Sequence, residues 1–298
     1  MYKRQVLDKQ DYQITFSQAR TKVQQLLTRL HGKQLTDANA KVAFIAEQLA
    51  DIPYRHSGAM GEGDWQPTAE TYQPGATHIQ QNPVYRLDAL DCQTMVQVAM
   101  GLLYSNNLAQ FDQTILRIAY GAAGNPNGQI VRYYNRNHFT DGDFNPVNQR
   151  HGLLTDVTVL EPLASHAQFM KAKITRQKWF LEQQKNPSTV QVLNAQAGPA
   201  MVERLHTTYA HLDFPRFKSE SISIAYLPKT SIALQKKDGN YEPNEPLLNQ
   251  IPTPALAEMI HDPKKWTVDG KTMKELTGSE FTVSHFGLLY KKLSLIHI

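Results

Sequence analysis

The chain is poor in the features that mark several common classes of protein. It has one cysteine, Cys92, in 298 residues, which excludes an internal disulfide and leaves the redox compartment open. Its net charge of +4 is mild, and it lacks the clustered basic face of a nucleic-acid-binding protein. No apolar run approaches the ~18 residues that a membrane-spanning helix needs. With 41% apolar and 19% charged residues, the chain has the composition of a globular protein with a sizeable core.

The sequence also lacks the patterns that hold metals or phosphate groups. None of its eleven histidines stands in an H-E-x-x-H motif, and a lone thiol is a poor basis for a zinc site. No glycine-rich loop precedes a helix in the way that phosphate-binding proteins require. We therefore expect no metal and no cofactor.

What is present starts with Cys92, at the beginning of a predicted helix. Apolar residues follow it at helical spacing, namely Met95, Ala99, Met100 and Leu103. Asp91 precedes it and has the side chain of an N-cap. The unpaired N–H groups and the dipole at a helix start favour an anion and, together with a protonated histidine, lower a thiol pKa from ~8.5 into the range of ~3.5–7.5. Cys92 is thus a candidate nucleophile, and the alternative is a packed structural cysteine.

A histidine partner for the thiol stands near the other end of the chain. β-branched and aromatic residues around His285, over residues 281–290, predict a strand, and residues 293–298 predict a second strand that carries His297. The two histidines are twelve positions apart, so on paired strands both could face one cleft. A cysteine at a helix start, a histidine on a strand and a polar third group follow one another in papain-like thiol hydrolases whose chain is circularly permuted.

Four short motifs in series carry a closer resemblance. The first is Ile52-Pro53-Tyr54, and the second is Leu90-Asp91-Cys92-Gln93-Thr94-Met95-Val96. The third comprises Arg132-Tyr133, Arg136, His138, Asp143, Asn148, Gly152 and Asp156-Val157-Thr158, and the fourth is Ser284-His285-Phe286-Gly287-Leu288. In this order, over about residues 40–298, they resemble the N-acetylmuramoyl-L-alanine amidase-like family, formerly a domain of unknown function. That family belongs to the NlpC-type branch of papain-like cysteine peptidases.

The resemblance implies an α+β fold of papain-like, NlpC-type arrangement, with helices packed on a small antiparallel sheet or half-barrel. We expect an N-terminal helical segment over residues 1–39 and a catalytic domain over residues 40–298, with a helical insertion at 160–212. Within that insertion, residues 165–184 are interpreted as a helix with a basic, solvated face. Helices are also predicted over residues 16–30, 41–49 and 111–120, and a short one over residues 256–260. Residues 153–159 are predicted to form a strand, and Asp269-Gly270 a hairpin turn.

The resemblance also implies a reaction. Cys92 would attack an amide carbonyl in peptidoglycan or a muropeptide, and His285 would take and return the proton. The imidazole would be oriented by His297 or, if the native C-terminus is missing, by a residue beyond this chain. Three alternatives stay open, namely a peptide endopeptidase, an acyltransferase on the same scaffold, and an inactive module that only binds the cell wall.

Other residues are assigned to the substrate cleft by the same resemblance. Expected to bind substrate are Tyr54, Glu62, Trp65, Asp91, Arg136 and His138. For Glu62 and Trp65 the alternative is a solvated loop with one packed tryptophan. His138 also competes with His285 as the base, and Asp143 and Asn148 are expected to hold their own loop.

The expected location is the periplasm or the cell envelope, because the substrate is cell-wall polymer. No apolar leader is visible in the opening residues. The opening MYKRQ and the closing LSLIHI resemble translated sequencing-adapter tracts. The chain is therefore expected to be a fragment, whose missing leader would say nothing about the compartment.

Overall fold

The computed structural model describes residues 16–54, 85–120, 136–183, 218–292 and 295–297. Four helices form its first part: α1 (Phe16–Gly32), α2 (Ala38–Leu49), α3 (Cys92–Leu103) and α4 (Leu108–Tyr120). Each turns one apolar stripe inward, and their buried side chains form a common core that includes Val23, Leu27, Ile45, Leu102, Phe111 and Ile115. In the described part of the chain, no helix is long and apolar enough to cross a membrane.

Helices α3 and α4 approach each other closely at Gly101. A Cβ atom at this position would stand 2.7 Å from the Phe111 ring and 2.9 Å from Cδ1 of Ile115. Glycine is therefore required here by the close approach of the two helices.

A compact turn follows the first helices. It consists of a π-helical segment (Thr140–Phe144) that leads into α5 (Asn145–Arg150). Phe144 is fully buried, and its ring meets the Phe286 ring edge-on at 5.6 Å. This turn therefore lies directly beneath the strand that carries His285.

The strands form small antiparallel sheets. One sheet pairs β1 (Gln168–Ile174) with β2 (Glu220–Tyr226), and α6 (Arg176–Gln183) follows β1. A short helix α7 (Lys229–Ile232) leads to a hairpin of β3 (Ala233–Gln235) and β4 (Tyr241–Pro243), and α8 (Glu245–Leu248) follows. A second hairpin, β6 (Thr267–Val268) with β7 (Lys271–Thr272), is followed by α9 (Met273–Thr277).

The central sheet has three strands in the order β5-β8-β9. They are β5 (Ala255–Ile260), β8 (Val283–Lys292) and β9 (Leu295–His297). In the β5–β8 ladder, Met259 is opposite His285 and Glu258 is opposite Phe286. The sheet packs on α2 and α3, and Phe286 joins Val96, Met100 and Phe144 in a second apolar cluster that Cys92 borders.

The predicted α+β class agrees with this mixture of helices and small antiparallel sheets. The predicted helices at residues 16–30, 41–49 and 111–120 and the predicted strand around His285 are confirmed. The hairpin turn predicted at Asp269-Gly270 is confirmed too, with positive φ angles of 52° and 77° that suit a two-residue turn.

Three local predictions are wrong. The first half of the helix predicted at 165–184 is strand β1, where Ala172 and Ile174 are buried and the intervening Lys173 is exposed, so the true period is two. Residues 256–260 belong to strand β5, because they pair with β8. Residues 153–159 contain turns and no strand.

Candidate functional site

Cys92 is the first residue of α3, as predicted, and the helix start is fixed by a capping box. The Asp91 carboxylate accepts a hydrogen bond from the Thr94 backbone N–H at 2.7 Å, and the Thr94 hydroxyl accepts one from the Asp91 N–H at 2.9 Å. These reciprocal bonds satisfy two donors of the first turn. They also fix the direction in which Cys92 leaves the helix.

The Cys92 thiol is half-buried, and several groups act on its pKa. Burial raises that pKa, and so does the adjacent Asp91 charge. Hydrogen bonds from the Phe286 and Gln93 backbones and from the Tyr54 side chain lower it, without cancelling the effect of burial. The net pKa is raised, whereas the sequence predicts a lowered one. The resting group is therefore a thiol, so an attack on a carbonyl needs a base.

His285 lies on β8 immediately before Phe286, the residue whose backbone bonds to the Cys92 sulfur. Its side chain is exposed, and its ring centroid lies 6.4 Å from that of Tyr54. Tyr54 is itself held beside the start of α3, since residue 54 forms a bridge to Leu90. Tyr54 thus contacts the thiol and stands beside the imidazole. Among the described residues, no hydrogen bond joins the Cys92 sulfur to His285.

His297 lies opposite Tyr290 in the β8–β9 ladder. Because Tyr290 is five residues along β8 from His285, the two histidine backbones are separated by about 17 Å along the strand. The role of His297 in orienting the His285 imidazole stays a prediction.

Arg136 does not face an open cleft. It is 1% exposed, and its guanidinium donates to the Gln97 side chain at 3.0 Å and to the Tyr120 hydroxyl at 3.2 Å. It packs over the Tyr120 ring as well. The predicted contact with a substrate carboxylate is replaced by these bonds behind α3, because the side chain points into the fold.

His138 is also buried, in an aromatic cluster. Its ring centroid lies 4.7 Å from that of Trp179 and 5.4 Å from that of Phe180. His285, the other histidine that competes for the role of base, stands next to Tyr54, which contacts the Cys92 sulfur.

Asp143 and Asn148 hold their own loop, as expected. Asp143 accepts hydrogen bonds from the Phe139 N–H and from Arg176, and the Asn148 amide donates to the backbone carbonyls of Ile118 and Phe144. Arg176 also reaches Glu220 on β2. These bonds tie the π-helical turn to α4, α6 and the β1–β2 sheet.

The remaining predictions have mixed outcomes. Glu62 and Trp65 lie outside the described residues, and the substrate role of Asp91 stays a prediction beside its capping role. The backbone of Phe286 was not predicted, because a main-chain donor has no sequence signal. Within the described ranges, no group of three histidine, cysteine, aspartate or glutamate side chains could hold a metal ion.

Comparison with known protein families assigns this chain to one of them. The model of the N-acetylmuramoyl-L-alanine amidase-like family matches residues 68–298, a stretch that includes both Cys92 and His285. The chain belongs to this family. Membership indicates an amidase-like function related to peptidoglycan. No curated protein matches the chain.

Solved structures resemble this family member at low sequence identity. A Legionella pneumophila protein assigned to DUF1460 has a TM-score of 0.66 and 24% identity, over 94% of this chain and 82% of its own. This similarity establishes a shared fold. A Bacteroides uniformis structure described as an N-acetylmuramoyl-L-alanine amidase has a TM-score of 0.45 and 16% identity, over 87% and 83% of the two chains.

Proposed function

We propose that this family member is a cysteine amidase that hydrolyses the bond between the lactyl carbonyl of N-acetylmuramic acid and the nitrogen of L-alanine. The observation that carries the proposal is the placement of one free thiol at a helix start, in contact with Tyr54 and with the backbone of the residue after His285. The choice of this amide bond as the one cleaved follows from the name of the family.

The reaction begins with a neutral thiol, because burial keeps the Cys92 pKa raised. His285 takes the thiol proton as the sulfur attacks the carbonyl carbon, and the amide becomes a tetrahedral oxyanion. His285 then gives the proton to the departing alanine nitrogen, which leaves a muramoyl thioester on Cys92. Water, activated by the same imidazole, hydrolyses the thioester and restores the thiol. Hydrogen bonds in a resting site are often long and tighten when substrate binds, so the imidazole closes on the sulfur at that stage.

The oxyanion has two candidate donors. One is the Cys92 backbone N–H, which lies in the first turn of α3, where N–H groups have no partner within the helix. The other is the Tyr54 hydroxyl, which already bonds to the sulfur. An oxyanion donor is worth about 10²–10³ in kcat in other hydrolases. Supporting the role of Tyr54 is its exposure of 54%, which leaves it open to substrate.

The proposal also implies a place for the protein. Peptidoglycan lies outside the cytoplasmic membrane, so we place the enzyme in the periplasm or at the cell envelope. The papain-like, NlpC-type arrangement is part of the same proposal, supported by the order of helix cysteine and strand histidine along the chain.

The test is the mass of the products formed from a purified muropeptide. Wild-type protein should release a peptide with a free L-alanine amine and a sugar with a free lactyl acid. Cys92→Ala and His285→Ala should release neither while they remain folded. Ser284→Ala is a matched control, since the one bond that its hydroxyl makes to the described residues is to the Met259 carbonyl on β5. Activity in Cys92→Ala would refute the thiol mechanism, and cleavage between amino acids would replace the amidase with an endopeptidase.

A further inference from the structure

Two side-chain hydrogen bonds join the central sheet to the π-helical turn and α5 beneath it. The Asn145 amide on α5 donates to the Glu258 carboxyl group on β5 at 2.9 Å. The Thr282 hydroxyl, one residue before β8, donates to Asp141 in the π-helical turn. The same Asn145 nitrogen lies 3.5 Å from an Asp141 oxygen, so Asp141 links the two hydrogen bonds. Together they hold both β5 and β8 on this turn.

Glu258 stands close to the candidate catalytic group in the ladder. Its partner across the β5–β8 ladder is Phe286, whose backbone bonds to the Cys92 sulfur and whose ring packs on Phe144. Residues that pair across a ladder share a face of the sheet, so Glu258 lies on the side of α5 and Phe144. The neighbouring pair, Met259 and His285, shares the opposite, exposed face. A displacement of β5 is therefore passed to the strand that carries His285.

Three carboxyl groups meet at this point, and their donors differ. Asp141 accepts from Thr282 and Asn145, and Asp156, in the loop after α5, accepts from the Thr158 N–H at 2.9 Å and the Thr158 hydroxyl at 2.5 Å. Within the described part of the chain, Glu258 accepts from Asn145 alone, and it lies within reach of the Asp141 and Asp156 charges. The nearby Arg176 charge is paired with Asp143 and Glu220. Since Glu258 has the fewest donors, it is the group on which a proton is best placed.

We propose that Glu258 is a positioning residue, held neutral against Asn145, and that it keeps the His285 strand seated on α5 only while it carries its proton. The proposal rests on the proposed function for its catalytic consequence. Burial, with the Asp141 and Asp156 charges, raises the Glu258 pKa to about 8. Loss of the proton would place a third negative charge in this cluster and push β5 from the turn.

The pH profile of hydrolysis is the first test. Above the Glu258 pKa the wild-type kcat should fall about tenfold per pH unit. Glu258→Gln, which stays neutral and can still accept from Asn145, should keep the wild-type rate at pH 7 and lose this decline. Glu242→Gln is a matched control on exposed β4, and it should decline like wild type. An unchanged alkaline decline in Glu258→Gln, or a folded Glu258→Gln that is inactive at every pH, would overturn the proposal.

The second test needs no measurement of hydrolysis to detect the proton on Glu258. A carboxyl group whose folded pKa is raised binds its proton more tightly in the folded state, so its stabilising effect is lost as the pH rises from the unfolded value of 4.5 to about 8. The melting temperature of the wild-type protein should therefore fall across this window, and more steeply than that of Glu258→Gln, because burial also raises the pKa of Asp141 and this contribution is present in both proteins. Equal falls in the two proteins would contradict the neutral Glu258. If Cys92→Ala retains activity while the two proteins still differ in this way, the proposed mechanism fails and the assignment of Glu258 stands.

Discussion

Asp91 has two effects at the start of α3, one on helix stability and one on the Cys92 pKa, and the substitution Asp91→Asn separates them. The carboxylate caps the helix through Thr94, and its charge raises the pKa of the adjacent Cys92 thiol. Asparagine retains an oxygen that can accept the Thr94 N–H but removes the charge. Because asparagine and aspartate cap helices equally well, only the loss of the charge–dipole attraction of ~0.3–1 kcal/mol should lower the stability.

The same substitution should lower the pKa of the Cys92 thiol and so increase its reactivity. Two charges within ~6 Å at a half-exposed site interact by on the order of 1 kcal/mol, so Asp91→Asn should give about fivefold more thiolate at a fixed pH below the pKa. A thiolate of lower pKa is a weaker nucleophile, with a Brønsted slope of ~0.4–0.5, so the net alkylation rate should rise about two- to threefold.

The assay is alkylation of Cys92 by iodoacetamide at pH 7, followed by intact-protein mass, with urea unfolding for stability. Asp91→Ala is the comparison, because it also removes the charge but abolishes the cap, at a cost of ~0.5–2 kcal/mol. At 9% exposure Asp91 should fall at the upper end of that range. Slower or unchanged alkylation in a folded Asp91→Asn would refute the reasoning, and so would full stability in Asp91→Ala.

Two further predictions concern the thiol's donor and the packing of α3. Tyr54→Phe removes a hydroxyl that bonds to the sulfur, so alkylation at pH 7 should slow and kcat for muropeptide hydrolysis should fall by roughly tenfold or more. Wild-type rates in both assays would contradict this role. Gly101→Ala should lower the free energy of unfolding by ~1–3 kcal/mol in urea, because the new Cβ overlaps Phe111 and Ile115. Gly32→Ala is its control, with no atom within 4 Å of the new methyl group, and equal stability of the two variants would show that α3 and α4 can separate freely.

Sequence patterns predicted the elements whose signal is local. The Asp91–Cys92 helix start carries its own cap, and the strand around His285 is dense in β-branched and aromatic residues. Strand β5 gave the wrong prediction because Ala255–Ile260 is rich in good helix formers, and its strand form depends on pairing with the distant β8. Local propensity was overridden there by tertiary contact.

The site was predictable in the same uneven way. The cysteine and the histidine stand in recognisable motifs, so both could be named as candidates from the sequence, and their catalytic roles stay predictions. Arg136 was misplaced because a motif gives the position of a residue along the chain and not the direction of its side chain, which here turns toward Gln97. The Glu258 cluster was missed because its members are brought together only by folding, since Asn145 and Glu258 are 113 positions apart along the chain.

The central claim is that Cys92 forms a covalent bond to the muramoyl carbonyl. It is tested most directly by the intact mass of the protein after rapid acid quenching during turnover of a muropeptide. We predict a transient mass increase equal to the muramoyl acyl group, located on the peptide that contains Cys92 and absent from Cys92→Ser. Turnover at the wild-type rate with no adduct on that peptide at any quench time, and with activity retained in Cys92→Ser, would contradict the account.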